Sequence, residues 1–398
     1  MRILRKAKLR ARILSDDFEL IGRAGAAHLR AVELDDVFPD VRWVAREEAA
    51  RTVIENNKVI LVAGADLPVG KELCRRILRR HPRRLVLLES SEDDRVDLER
   101  ELVDLGQGGI VLSAPWGRTG AREPNRLIER LRPDVVFYLP DQRVRYGDKF
   151  AAEYFERNVL PLVHFADAAW KRGTKALVMC GEESDPVSMR GLMWRLAQMY
   201  LGALHFGYPQ KTAFKSFECP LVVELNEGVF AQWKKQIDDG GPLVEPEGIS
   251  TLRCVTRRDA AESAIECAGH GQAGHAYVMD GVEETPVSEV MDRMLVVNGL
   301  PEFEAGRGQQ RRRNVGPPWL LALIGWPTRV ERCPGDDGPV WSEVSFREDA
   351  LPSAAIPEVR QFIEFLIEKA HVLSPEEFKN EIQRFVSAVS SVEPQGLA

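Results

Sequence analysis

The chemistry this chain could do begins at one turn. A strand-like run, KVILVAG from Lys58, enters Gly64-Ala65-Asp66-Leu67-Pro68-Val69-Gly70 and passes into the amphipathic helical pattern KELCRRILRRH. A glycine turn in that place can cradle a pyrophosphate, because small residues let phosphate reach the backbone N–H groups of a helix N-terminus. Gly64 and Gly70 suit the tight turn and the close helix–strand packing. Leu67 stands where a middle glycine belongs and would crowd the phosphates, and Pro68 removes one N–H donor. Glu89, at the end of the next strand-like run, has the place of a group that binds ribose hydroxyls, which favours NAD over NADP. The competing reading is that Gly64 and Gly70 serve only turn and packing.

Other reactive groups are sparse. Cys180 can be a nucleophile or a small buried hydrophobe, and the second reading weighs more. Glu182 and Glu183 are adjacent carboxylates. Neighbours on an extended chain point opposite ways, so they read as solvated loop acids. The seven histidines show no ligand spacing, and the six cysteines form no CxxC pair and no zinc pattern. That argues against a metal site and for a reducing, cytoplasmic compartment.

The elements that must position these groups alternate. KVILVAG, RRLVLLES, GIVLSA, PDVVFYLP and TKALVMCG are short apolar strands. Between them lie the helical stretches KELCRRILRRH, DLERELVDLG, PNRLIERLRP and EYFERNVLPLVHFADAAWKRG, and a further helix runs from about Val187 to His205. Such alternation predicts an α/β fold, a Rossmann-like doubly wound parallel sheet with both faces covered. Beyond about residue 220 the order loosens, through CPLVVELN, GVFAQWKKQIDDGG and a Gly/Arg-rich segment at Ala305–Pro318. The tail is helical, with Ser374, Pro375 and Glu377 forming a capping box ahead of Phe378, Ile382, Phe385 and Val389 on one face. The boundaries read as a basic N-terminus and linker over 1–57, a degenerate nucleotide-binding domain over 58–220, a smaller substrate-type subdomain over 221–357 and a helical tail over 358–398.

With 398 residues, 44% of them hydrophobic, the chain can bury a core without disulfides. A formal net charge of −7 excludes a generally nucleic-acid-binding chain. No apolar run reaches the ~20 residues of a membrane span, and no signal peptide shows. Two segments keep a peripheral contact with the inner membrane face open. Residues 1–14 begin with six basic side chains in twelve positions, and 311–326 run from Arg311-Arg312-Arg313 into WLLALIGW.

Several blocks in one order carry a resemblance: VILVAGADLPVGKELCRRIL, LRPDVVFYLP, ERNVLPLVHFADAAWKRG, DPVSMRGLMWRLAQMYLGAL, GHAYVMDGVEETPVSEVMDRM and RCPGDDGPVWSEV. From about Leu29 to Pro357 the chain resembles the extended short-chain dehydrogenases/reductases, specifically the nucleotide-sugar 4,6-dehydratase/epimerase family of polysaccharide biosynthesis. LRAVELDDVFPD is similar to the linker that follows a transmembrane region in membrane-anchored relatives, so the chain reads as one that begins in that linker. The resemblance implies NAD, a nucleotide sugar, a Thr-Asp-Lys run after the fifth strand, and then a Tyr or Met followed four residues on by a Lys. Those positions hold Cys180, Gly181 and Glu182, then Arg190 and Trp194. An adenine-binding acid is replaced by Ala114, and the small turn after the fourth strand by Leu139-Pro140-Asp141, while Asn158 matches a retained position. On the substrate side Arg332 and Asp336 keep the charge sense of an RPGE-like turn. The family arginine falls on Leu252, beside Arg253.

Taken together, these departures predict a site with no cofactor, NAD if any, and an indole at Trp194 filling the vacated nicotinamide space. The expected protein is a catalytically inactive binding, scaffold or regulatory module, its partner a nucleotide sugar or a polysaccharide-assembly protein. The alternative is an active NAD-dependent dehydratase or epimerase with an atypical site. A homo-oligomer through the helices after strands four and five is also expected.

Overall fold

Apolar runs that hide on both sides become the strands of one parallel sheet. They are β1 (Val59–Ala63), β2 (Arg84–Glu89), β3 (Val111–Pro115), β4 (Val135–Tyr138), β5 (Ala176–Glu182) and β6 (Ala213–Cys219). Their order across the sheet is β3-β2-β1-β4-β5-β6, with every neighbouring pair parallel. This is the doubly wound arrangement, whose ligand crevice lies outside the carboxyl ends of the strands, where the order reverses. Ala63 lies opposite both Leu88 and Tyr138, so β1, β2 and β4 end level at that crevice. The computed structural model describes residues 12–14, 29–31, 43–54, 58–89, 110–115, 122–140, 148–208, 211–223, 228–239, 243–246, 249–297, 342–343 and 346–390.

A short helix, α1 (Glu47–Val53), precedes the sheet, and α2 (Pro68–Leu78), α3 (Arg122–Leu131), α4 (Leu160–Arg172) and α5 (Met189–Gly207) connect its strands. Helix α2 starts three residues before the KELCRRIL pattern. Pro68 occupies its first turn, where a fixed φ and a missing N–H do no harm. Ahead of α4, Ala151–Tyr154 and a π turn at Phe155–Val159 extend the helical run. Asn158 is buried in that turn, and its backbone carbonyl accepts from the Tyr138 hydroxyl at 2.6 Å. Ser188 caps α5, its Oγ accepting from the Gly191 N–H at 3.1 Å.

The chain forms two compact units that are not sequential. The larger takes Ala45–Cys219, Ala260–Gly281 and Glu343–Ala398; the smaller takes Met1–Val44, Pro220–Asp259 and Val282–Ser342. In the smaller unit, β7 (Leu221–Val222) pairs parallel with β8 (Thr251–Val255). Helices α6 (Gly228–Asp238) and α8 (Val287–Val297) contribute Phe230, Trp233, Val290, Met291 and Met294 to its core.

Chain order breaks because the sheet of the larger unit keeps growing. Beyond α7 (Arg257–His270), β9 (His275–Met279) adds parallel to β6. After β10 (Glu284–Pro286) in the smaller unit, β11 (Phe346–Ala350) returns antiparallel to β9. Each addition pairs backbone groups that an open edge would leave exposed. The tail then folds back as α9 (Ile356–Lys369) and α10 (Pro375–Ser390). Ile356, Val359, Ile363, Leu366, Phe378 and Ile382 join one core with Leu196, Tyr200 and Leu204 of α5. The expected capping box forms: Ser374 N–H donates to Glu377 Oε2 at 2.9 Å, and Glu377 N–H to Ser374 Oγ at 3.3 Å.

The helix expected over DLERELVDLG, the segments 1–11, 305–318 and 311–326, and Asp141, Arg332 and Asp336 lie outside the described residues. Among the described residues no helix is long and apolar enough to cross a membrane.

Candidate functional site

The turn between β1 and α2 keeps a dinucleotide-loop backbone and loses its surface. Gly64 adopts φ +92°, a left-handed conformation that favours glycine. A Cβ there would stand 2.8 Å from the Leu139 carbonyl at the end of β4. A Cβ at Gly70 would meet the Gly64 carbonyl at 2.1 Å, so this second glycine lets α2 press onto the strand end. Between them Leu67 is buried, with its side chain beside Gly64 rather than in solvent. The Leu67 N–H donates to the Gly64 carbonyl, and Pro68 has none to offer. Asp66 adds an acidic side chain only 4% exposed, inside the loop that would have to receive a pyrophosphate. The loop is shaped for phosphate and lined against it.

Two other strand ends close the same edge. Gly64 and Ala65 both donate backbone N–H groups to Leu88 of β2. Glu89 ends that strand next to Pro115, with Ala114 beside Leu88.

At the carboxyl end of β5 the substituted positions find one another. The Arg190 guanidinium, in the first turn of α5, lies 3.3 Å from Glu182 Oε2, with only 20% and 13% of the two side chains exposed. This corrects the reading of Glu182 as a solvated loop acid: the guanidinium brought over by α5 draws it inward. One turn further, Trp194 lays its indole on Gly181. A Cβ at Gly181 would fall 2.6 Å from the Trp194 Cζ3. Cys180 is fully enclosed, and burial, then Cys267 and Cys219, push its thiol well above its ordinary range. A thiol kept protonated is no nucleophile.

Behind the indole a polar network runs into β6. Gln198 Nε2 donates to Ser216 Oγ at 3.0 Å and to Glu218 Oε1 at 3.1 Å. Burial raises Glu218, with Glu183 adding to the rise and Gln198 and Arg195 opposing it. Motif spacing does not single out Asp66, Gln198 or Glu218. The signal was present in β6, where AFKSFEC sets Lys215, Ser216 and Glu218 inside an otherwise apolar strand.

Arg253 lies in β8 of the smaller unit, where its Nε donates to the Val282 carbonyl at 3.4 Å. Leu252 and Arg253 pair with Thr285 and Glu284. Among the described residues, no group of His, Cys, Asp and Glu is placed to hold a metal ion. The residues at the crevice do not fit a dinucleotide: the loop holds a buried acid and a leucine where small residues are needed, Pro68 brings no N–H, and an indole lies on Gly181 at the strand end beyond it.

A family model described as a polysaccharide biosynthesis protein matches residues 60–316. The capsular polysaccharide biosynthesis protein CapD of Staphylococcus aureus is 22% identical over 300 residues, covering 72% of this chain and 48% of that one. The probable polysaccharide biosynthesis protein EpsC of Bacillus subtilis is 23% identical over 287 residues, covering 71% and 48%. The chain thus spans about half the length of the curated relatives it matches. Among solved structures, DesIV of Streptomyces venezuelae, a dTDP-glucose 4,6-dehydratase with NAD and TYD bound, superposes with a TM-score of 0.51 at 17% identity. That match covers 61% of this chain and 81% of DesIV, and it shows the fold.

Proposed function

The chain belongs to the polysaccharide biosynthesis protein family, and from that premise we propose that it keeps the nucleotide-sugar dehydratase/epimerase fold as a non-catalytic module. In this reading it binds, scaffolds or regulates within surface-polysaccharide assembly. Its partner is a nucleotide sugar or another assembly protein, and it carries no cofactor.

The observation that supports this most is the pair of contacts at the end of β5. Dehydratase chemistry needs groups that give and take protons near neutral pH, which contribute about 10²–10⁴-fold. Here the corresponding positions hold a guanidinium tied to a carboxylate and an indole packed on a glycine. A guanidinium stays protonated, and an indole N–H is a donor only. Neither can cycle a proton. The second reading, an active NAD-dependent enzyme with an atypical site, draws its support from the retained backbone at Gly64 and Gly70 and from the position of Glu89.

The homo-oligomer expected through α4 and α5 meets an obstacle in α9 and α10, which already lie on α5. Association would use α4 and the part of α5 that the tail leaves uncovered.

Isothermal titration of the full chain with NAD and with UDP-sugars tests the proposal. No heat from NAD up to millimolar concentration, and no sugar turnover, is expected. Micromolar NAD binding together with conversion of a UDP-sugar would establish the active enzyme instead.

A further inference from the structure

The opposite edge of the same sheet carries charge that the fold does not consume. Helices joining parallel strands run back across the sheet, so the amino ends of the strands and the carboxyl ends of the helices share one edge. Along it, β2, β1, β4, β5 and β6 are consecutive neighbours, spanning ~20 Å at the usual strand spacing. Arg83 and Arg84 stand at the start of β2, Arg130 and Arg132 before β4, Lys171 before β5 and Lys211 before β6. All six are exposed, and none has an ion-pair partner among the described residues. Among the described residues, the acids Glu129 and Asp134 on this edge are already engaged: Glu129 with Arg172 at 2.7 Å, and Asp134 with Lys175 at 2.8 Å.

Part of this has an ordinary cause. Cations in the last turn of a helix complement its dipole, which accounts for Arg130 and Lys171. It does not account for Arg83 and Arg84, which open a strand, or for Lys211.

Nor does it explain the backbone. His81 and Arg132 adopt φ +50° and +44°, just past the ends of α2 and α3. Glycine fills such helix ends without strain, as Gly173 does after α4 at φ +71° on the same edge. Non-glycine residues there are uncommon, and strain of this kind marks places where a side chain is wanted for something other than packing. At both, the side chain retained is exposed, and at Arg132 it is a cation.

We propose that this edge is a docking face for an anionic membrane surface. The strip is cationic in a chain whose net charge is −7. It is laid out along a row of strand ends, and it is rich in arginine, which pairs with phosphate in a fork. Such a row meets a plane of phosphate headgroups, each basic side chain near the surface strengthening binding about fivefold.

The test is sedimentation of the full chain with vesicles of phosphatidylglycerol and phosphatidylcholine in about equal parts, against phosphatidylcholine alone, at low and raised salt. The triple variant Arg83→Gln, Arg84→Gln, Lys211→Gln should bind the anionic vesicles about 100-fold more weakly. A control triple on exposed cations elsewhere, Lys235→Gln, Arg347→Gln, Arg384→Gln, should stay within about threefold of the parent. Both triple variants alter only exposed side chains, and matching melting curves by circular dichroism establish that they fold. Equal binding by the edge variant would overturn the proposal and leave any vesicle contact to the segments 1–14 or 311–326. Equal losses by the two triples would do so as well, as would indifference to anionic vesicles by a chain that binds polyglutamate.

Discussion

Gly181→Ala asks directly whether the indole fills the floor of the crevice. The added Cβ would stand 2.6 Å from Trp194 Cζ3 and 2.8 Å from Cη2. Carbon atoms rest at about 3.5 Å or more, so the ring would have to retreat by about 1 Å. Trp194 is only 9% exposed and sits in the second turn of α5, with little freedom to move. Overpacking of this kind costs about 1–3 kcal/mol, and we take about 2. Trp194→Ala alone should cost about 3 kcal/mol, the low end for a large aromatic, because water can enter at the rim. In the double variant the new methyl meets no ring. Alanine in a strand is better than glycine by roughly 0.5–1 kcal/mol. The double should therefore lose about 2 kcal/mol where additivity gives about 5. Urea unfolding at pH 7, followed by far-UV circular dichroism and compared at a common slope, reads all four states. Additivity to within about 0.5 kcal/mol would mean that the indole does not lie on Gly181, and the argument for an occupied crevice would fall with it.

Three further outcomes follow from groups near the site. Burial alone would raise Glu72 on α2, but Arg76 and Arg75 hold it down from 4.5 to about 2. Its folded pKa is thus below its unfolded one, so its stabilisation is present above pH 4.5 and disappears as the pH falls toward about 2. Glu72→Gln should lose about 3 kcal/mol at neutral pH and almost nothing near pH 2, read by urea titration at each pH. Burial lowers Lys215, whose Nζ donates to the Cys267 and Ala268 carbonyls at 3.2 and 2.6 Å near the end of α7. Lys215→Met orphans both carbonyls and should cost about 2–4 kcal/mol in the same assay. The unfolded chain binds the extra proton between the lowered pKa and 10.5, so the parent should gain on the variant as pH rises through that window. Finally, Cys180 should resist iodoacetamide in the native chain at pH 8 and react once unfolded, scored by mass spectrometry. Native labelling at the rate of a free thiol would contradict its burial.

The sheet was legible because its evidence is local and repeated. Each of KVILVAG, RRLVLLES and PDVVFYLP is apolar at every position a two-sided strand must hide, and each becomes a strand of the parallel sheet. The glycines were legible for the same reason: Gly64 and Gly70 sit at a fixed interval between strand and helix. What the spacing hides is pairing. Arg190 and Glu182 are eight positions apart, and nothing in the string says that the first turn of α5 carries the guanidinium back to the strand end. Adjacent Glu182 and Glu183 therefore read as solvent-facing, and the partner that draws Glu182 inward became visible only with the fold. The return of β9, β11 and the tail helices to the larger unit is likewise non-local. β6 needs a neighbour on its open side, which β9 supplies about 60 residues further on, and β9 in turn is paired by β11 about 70 residues beyond that.

Charge makes the same point on a larger scale. Summed over the chain it is −7 and says little. Placed on the sheet it separates into two edges, because residues just before a parallel strand all reach one side and residues just after it all reach the other. Before the strands stand Arg83, Arg84, Arg132 and Lys211; at or after their ends stand Asp66, Glu89, Glu182, Glu183 and Glu218. A crevice that binds pyrophosphate needs donors and a positive potential, aided by a helix N-terminus. The buried acid Asp66 at the turn into α2 works against the helix dipole there, while the basic row strengthens the potential at the far side. The two edges thus differ: at the strand ends Glu182 is tied to Arg190 and an indole covers Gly181, while the exposed basic side chains before the strands leave the opposite edge suited to phosphate.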